Sequence, residues 1–376
     1  NLKKMAEAQS INGQGSVRER NGRAGWVSGR LVLFCLASMA VTVVAGLVQV
    51  SFGEYSMTIQ EAWHAVFNPR VVFNLYAWSA FLFGTELPEM STASIVVWNL
   101  RLPRVFVGII AGATLAVSGA IFQAVTRNEL ASPFVLGVSS GAGFAVLATL
   151  VVFSGLSPFL PLIAALGGTV AFVVVYTIAW KGGTSPVRLV LAGVIVNMVF
   201  QSLQQGLFFF ADDLGVVQTA VAWLTGSLTG TGWDEVRIAI VPAIISIVIA
   251  VAGARQLNVL LLGERTAQSL GMRVERVRFS FSAVAILAAS VAIAVAGIVS
   301  FFGLVVPHIV RNTVGGDYRR LMVGCLFAGP ALLVTADVGA RLALSGTQLP
   351  VGVVTGLLGG PYFLYLMRKQ QSMGEL

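Results

Sequence analysis

The sequence predicts an all-α, polytopic membrane protein of about ten transmembrane helices with both termini in the cytoplasm. Three observations carry that reading. Of 376 residues, 56% are hydrophobic and only 11% are charged, against about 25% charged in an ordinary soluble domain. Mean hydropathy is +0.85, more apolar surface than an aqueous fold can hide. The apolar residues fall in long unbroken runs, whereas a β-barrel alternates in segments of ~10 residues.

Taken in order, residues 1–30 are polar and basic and read as a disordered cytoplasmic tail. The run from Leu31 to about Phe52 is long enough to cross a hydrocarbon core of about 30 Å. It lacks the short apolar core and small-residue cleavage site of a signal peptide. The predicted spans are 31–52, 104–125, 134–153, 159–180, 187–210, 236–254, 277–299, 302–315, 321–338 and 350–367. Together 31–368 form one transmembrane domain, with 255–278 as a cytoplasmic loop and 369–376 as a closing cytoplasmic tail. The 41 glycines suit this class, because small residues let membrane helices approach closely. Cys35 and Cys325 lie in apolar runs and read as packed thiols, not as a disulfide framework or metal site.

Charge orients the chain. One set of linkers carries Arg18, Arg20, Arg23, Arg30, Arg127, Lys181, Arg188, Arg255, Arg265, Arg273, Arg276, Arg278, Arg311, Arg319, Arg320, Arg368 and Lys369. The alternate set carries Glu54, Glu61, Glu86, Glu89, Asp212, Asp213, Asp234 and Glu235. The basic set is cytoplasmic by the positive-inside rule. The net charge of +8 is therefore a topology signal spread between spans, and nucleic acid is not an expected partner.

Arg101, Arg104 and Arg341 break the bias, because they fall on the outer side. Charge alone leaves two readings open: they snorkel or pair locally, Asp337 lying one turn before Arg341, or they face an acidic soluble partner. Pro103, tolerated at a helix start, fixes the first pair at the rim of a segment rich in small residues. Gly108, Gly112 and Gly119 in that segment predict tight helix packing, as do Gly137 and Gly141 after the loop containing Asn128 and Pro133. The second span is thus a buried bundle helix whose outer end lies near a central opening.

On the cytoplasmic side, 255–278 is the longest basic loop inside the bundle. A short helix from Leu260 to Leu270, capped by Gly271, is predicted there. Its Leu261, Leu262, Ala267 and Leu270 lie either on the membrane domain or in a partner's groove. Pro307 and His308 sit in an apolar run; the proline frees a carbonyl one turn back and is expected to account for the shortness of 302–315. The chain has no GxxxxGK[ST] phosphate loop, no carboxylate at mid-span save Asp337, and no Ser/His/Asp or metal-ligand cluster. ATP hydrolysis, ion coupling and catalysis on this chain are all disfavoured.

"RLPR…GATLAVSGAIFQAVTRNELASPFVLGVSSGAG", "LLGERTAQSLGM", "GIVSFFGLVVPHIVR…GDYRR", "ADVGAR" and "LPVGVVTGLLGGPYFLYLM", in order over about 95–368, resemble the FecCD-type permeases. These are the membrane subunits of bacterial ABC importers for iron–siderophores, haem and cobalamin. The resemblance implies a multi-pass protein of the bacterial inner membrane that pairs with a second permease subunit, identical or paralogous. It also implies two cytoplasmic ATPase subunits, which carry the ATP and magnesium, and a periplasmic or lipoprotein substrate-binding protein. No cofactor or metal is implied on this chain.

By the same resemblance, Arg101, Arg104 and Arg341 receive acidic residues of the binding protein. Leu262, Gly263, Glu264, Ala267, Leu270 and Gly271 match the coupling helices that grip the ATPase, with Asp317 and Arg319 at the family's "DHR" position. Asn128 and Leu130 match a cytoplasmic gate, where the usual "NPLA" reads "NELA" with Glu129. A ferric siderophore-type chelate is the expected cargo. Haem or cobalamin import and an ion-coupled secondary transporter stand as alternatives. The outer loop 53–100 is long, with an apolar patch at Val71–Phe83 of either interfacial or docking character.

Overall fold

The computed structural model describes residues 26–374 except 54, 56, 182, 212 and 344–347. The side chains of 366, 367 and 369–374 are also outside the description. The predicted tail over 1–25, Glu54, Asp212 and the last two residues of the closing tail therefore lie outside the described residues.

Each of the ten predicted apolar segments is helical. The helices are Gly29–Ser51, Leu102–Thr126, Val138–Val152, Leu160–Ala179, Pro186–Phe208, Trp233–Ala252, Val274–Ala296, Phe302–Val314, Tyr318–Leu342 and Val351–Gly374. Among the described residues, seven helical segments are long and apolar enough to cross a membrane; Val138–Val152, Leu214–Thr225 and Val351–Tyr365 are shorter apolar helices. Boundaries follow local chemistry. Ser28, Ser185 and Asp317 accept a backbone N–H of the first turn of the helices they precede, satisfying donors that a helix start leaves orphaned.

Leu102–Thr126 is the column of the bundle. Its most apolar stretch is 83% buried, against 28% for Gly29–Ser51 and for Trp233–Ala252, whose exposed faces are apolar. The column packs against Tyr318–Leu342, Val274–Ala296, Phe302–Val314 and Trp233–Ala252. Its glycines make this possible. A Cβ on Gly112 would stand 2.6 Å from the Gly329 carbonyl oxygen, and one on Gly119 would overlap the Gly303 carbonyl outright. Gly108 lies against Val334 and Leu228, and Gly141 meets Gly167 and Ala171 on Leu160–Ala179. Gly137 is left-handed, with φ 80°, where the chain enters Val138–Val152.

Two expectations are corrected here. Pro307 does not shorten its segment: it sits inside Phe302–Val314, which is bounded by a turn ending at Phe301 (φ 60°) and by Gly315 (φ 94°). The proline cannot donate to the Gly303 carbonyl one turn back, and that carbonyl is the one pressed against Gly119. The helix Leu260–Leu270 is instead two short helices, Ala254–Leu261 and Glu264–Ser269, broken at Gly263, whose φ of 100° no L side chain adopts cheaply. Leu214–Thr225 is a helix that the apolar-run reading did not separate.

The predicted outer loop is ordered into Ile59–Val66, Pro69–Val72, Leu75–Phe83 and Thr92–Ile95, the last running through a π-turn at Val96–Arg101 into the column. Thr58 and Glu61 form a capping box on the first of these. Phe81 stacks between Trp98 and Trp233, at centroid distances of 5.5 and 4.8 Å, and Trp78 meets Trp98 edge-on.

Candidate functional site

The column helix carries a candidate site at each end. At its N-terminal end, Arg101 is buried, donating from Nη1 to the Val50 carbonyl at 2.6 Å and from Nη2 to the Tyr55 carbonyl at 2.7 Å. The Val50 carbonyl lies in the last turn of Gly29–Ser51 and the Tyr55 carbonyl just beyond it, so Arg101 fixes where the chain leaves that helix. Arg104 grips Asp337 through two bonds of 2.7 Å, Nε to Oδ2 and Nη2 to Oδ1. Gln49 donates its amide to the same carboxylate. Arg341 donates to the Gln49 carbonyl at 3.2 Å. The local partner of Asp337 is thus Arg104, on another helix, and not Arg341 one turn away. The four charged groups and Gln49 tie Gly29–Ser51, the column and Tyr318–Leu342 into one rim.

The C-terminal end of the column meets the elbow made by the two short helices. Arg127, in a left-handed conformation with φ 48°, ends the column and lies 3.7 Å from Glu264. Glu264 also takes Arg278 at 2.6 Å. Arg278 has no exposed side-chain surface and also binds Glu275 at 2.8 Å and the Thr184 carbonyl. Thr184 returns its N–H and hydroxyl to Glu275 at 3.1 and 2.9 Å. A buried charge needs such partners, and here they join the elbow, Thr184 and the start of Val274–Ala296. On the other side, Asn258 donates to Asp317 at 2.8 Å and accepts from Tyr318 N–H at 2.9 Å. Asp317 also holds Arg319. Burial opposes the charge of Asp317, but bonds from Arg319 and Asn258 outweigh it and hold the carboxyl below its ordinary value.

The elbow presents two faces. Leu257, Leu260 and Ala267 are buried, whereas Leu261, Leu262 and Leu270 are exposed. An open cleft runs between Arg127, the Ser185–Val187 turn and Leu262–Thr266.

Between the elbow and Phe302–Val314 lies the turn at 127–131. Asn128 Oδ1 accepts the Leu130 N–H at 2.9 Å and its carbonyl accepts from Ala131 at 3.1 Å, an Asx turn. This leaves Leu130 exposed. Glu129 reaches Arg311 at 3.3 Å and lies 3.9 Å from His308 Nδ1. Arg311 in turn donates to Gln123 of the column at 2.9 Å.

Residues 41–369 match the family model of the FecCD transport family. The chain belongs to that family. It is 39% identical over 285 residues to the Fe(3+)-citrate import system permease protein YfmD of Bacillus subtilis (strain 168), covering 75% of this chain and 84% of that one. It is 33% identical to the hemin transport system permease protein HmuU of Yersinia pestis over 94% of this chain and 98% of that one. It is 39% identical to the cobalamin import system permease protein BtuC of Halobacterium salinarum over 76% of each. A solved structure described as an inward-facing conformation of a putative metal-chelate type ABC transporter superposes with TM-score 0.75 at 25% identity. That superposition covers 90% of this chain and 99% of the other.

In this FecCD chain the structure brings Arg104 and Arg341 to one rim, and Glu264, Ala267, Asp317 and Arg319 to one elbow, although some 50 positions separate the parts of the elbow. Sequence reasoning missed the Glu129–Arg311 pair, the keystone Arg278 and the aromatic stack of Trp78, Phe81, Trp98 and Trp233. Arg278 carried a faint signal: it is the arginine of the loop placed deepest into the apolar run, one turn after Glu275.

Proposed function

We propose that this chain is the permease subunit of an ATP-binding-cassette importer, taking a ferric siderophore-type chelate from an outer binding protein. The observation that carries the proposal is the column helix itself. Its 25 residues rise about 37 Å, with the arginine rim at one end and Arg127 against the Glu264 elbow at the other. One rigid element therefore links the face offered to a binding protein with the face offered to an ATPase. The import functions named for the iron-citrate, hemin and cobalamin relatives support the same reading.

In this proposal the elbow faces the cytoplasm, ten helices cross the bilayer, and two copies of the chain or two paralogues enclose the pathway. The exposed Leu261, Leu262 and Leu270 enter a groove of the ATPase. ATP binding on that partner pulls the elbow, and the Arg127–Glu264–Arg278 contacts pass the displacement to the column and to Val274–Ala296. The Asn128–Leu130 turn, braced by Glu129 on Arg311, closes the cytoplasmic side until the column moves. Energy enters as differential affinity between conformations.

At the rim, the half-buried Arg341 is the arginine that meets the binding protein, while Arg104, paired with Asp337, and Arg101, holding the Val50 and Tyr55 carbonyls, act behind it by fixing the rim. Charge steering makes docking salt-dependent. The test is uptake into proteoliposomes containing this chain, its ATPase and the binding protein. ATP-dependent uptake of a labelled ferric siderophore is expected. Uptake of haem or cobalamin alone would reassign the cargo, and uptake driven by an ion gradient without the ATPase would overturn the proposal.

A further inference from the structure

We propose that the Leu75–Phe83 helix and the Phe73 turn before it form an anchor that lies in the outer membrane–water interface, its outward face covered by lipid. The segment from Val71 to Thr85 contains no charged residue. Its helix buries Ala77, Ala80 and Phe81 against the bundle, yet Phe73, Leu75, Tyr76 and Phe83 on the other side are 80–83% exposed. A helix apolar on both faces reads as one with protein on one side and lipid on the other.

Its depth follows from what holds it. Phe81 stacks on Trp233, the first residue of Trp233–Ala252. One turn further along, Arg237 donates from Nε to the Phe81 carbonyl at 2.8 Å and from Nη2 to the Ala80 carbonyl at 3.0 Å. The Trp233–Ala252 helix has 20 residues, which rise about 30 Å, the thickness of the hydrocarbon core. Its first turn therefore marks the boundary of that core, and the Leu75–Phe83 helix is pinned at that level. Below it, Ile238, Val241, Ile244, Ile245 and Val248 continue as an exposed apolar face, so the aromatic patch is the upper edge of a lipid-covered belt. Trp78, Trp98 and Trp233 gather round Phe81 at this level, as amphipathic rings do at headgroups. Arg237, capping these carbonyls and pairing with Asp234 at 2.6 Å, supplies a polar partner at the same level.

Of the importer reading, this inference uses only the side of the membrane: the outer leaflet is the one away from the elbow. The test is spin-label accessibility on the complete transporter in phosphatidylethanolamine–phosphatidylglycerol vesicles. Nitroxides are placed at Tyr76→Cys and, separately, Phe83→Cys in a Cys35→Ser background, Cys325 being fully buried. Glu86→Cys gives the aqueous reference and Val241→Cys the lipid reference. Expected is an oxygen-to-nickel-chelate collision ratio at 76 and 83 several-fold above that at 86 and below that at 241. A ratio equal to that at 86 overturns the anchor. So does shelter that appears only when the binding protein is added, or spin–spin broadening that shows a second copy covering the patch. Loss of uptake with the depth intact counts against the importer reading and leaves the anchor standing; an aqueous label with uptake intact does the reverse.

Discussion

Asp337 and Arg104 face each other across two helices with both carboxylate oxygens bonded at 2.7 Å, the carboxylate being 1% and the guanidinium 11% exposed. Removing one member of such a pair leaves an uncompensated buried charge. Asp337→Ala is therefore expected to cost about 3–5 kcal/mol, read as a large fall in melting temperature in detergent. The double change Arg104→Met with Asp337→Leu should cost less than Asp337→Ala alone. A double variant no better than the single would show that the pair is not the source of the loss.

The same geometry decides how docking is tested. Charge reversal at Arg101 would strip the Val50 and Tyr55 carbonyls of their donors, so lost uptake would report folding. Arg341→Glu acts nearer the surface. It is expected to lower uptake and to flatten its dependence on ionic strength, while the ATPase still co-purifies. Uptake with the salt dependence of the parent would remove Arg341 from docking.

Arg278 is the buried keystone of the elbow, held by Glu264, Glu275 and Thr184. Arg278→Ala should cost about 3–5 kcal/mol locally and raise hydrogen exchange over 254–271. Arg278→Lys, which offers a point charge where a planar fork is needed, should fold yet transport less substrate per ATP hydrolysed. Unaltered stoichiometry in the lysine variant would make Arg278 a purely structural residue.

Asp317 gives the elbow a pH limit. Its folded carboxyl titrates below its unfolded value, so it binds fewer protons folded than unfolded at mildly acidic pH. The stabilisation is complete above the unfolded value and fades as pH falls through the folded one. Protection of Asn258 and Tyr318 amides should hold to about pH 4 and drop below it. Asp317→Asn should abolish that drop; a drop of equal size in the variant would assign it to another group.

Close helix contact predicts a further asymmetry. Gly119→Ala forces a methyl into the Gly303 carbonyl, whereas a methyl on Gly356 would meet no other part of the chain within 4 Å. The first change is expected to cost about 1–3 kcal/mol or more and the second to stay within about 0.5 kcal/mol, as checked by paired thermal melts.

Much of this was legible beforehand where the signal is local. Unbroken apolar runs located the helical segments, seven of them among the described residues long and apolar enough to cross a membrane, because lipid demands that a segment satisfy its own backbone. GxxxG spacing marked Gly108 and Gly112, and the run of small residues after them marked Gly119, as contact residues. The Leu260–Leu270 helix failed because a single glycine at 263 was read as helix interior, when its positive φ makes it a hinge. The Asp337–Arg104 pair was missed for a different reason: its members are 233 positions apart, and helical spacing pointed to Arg341 as the nearer partner.

By itself, then, the sequence determined the solvent, the helical segments and the family, all of which rest on composition, periodicity or ordered motifs. Only the tertiary structure decided which guanidinium meets which carboxylate, that Glu129 reaches Arg311, and that the uncharged Leu75–Phe83 helix rests on Trp233 and Arg237. Pairings of this kind depend on which helix faces which, and that is fixed by packing across the whole bundle and leaves no period along the chain.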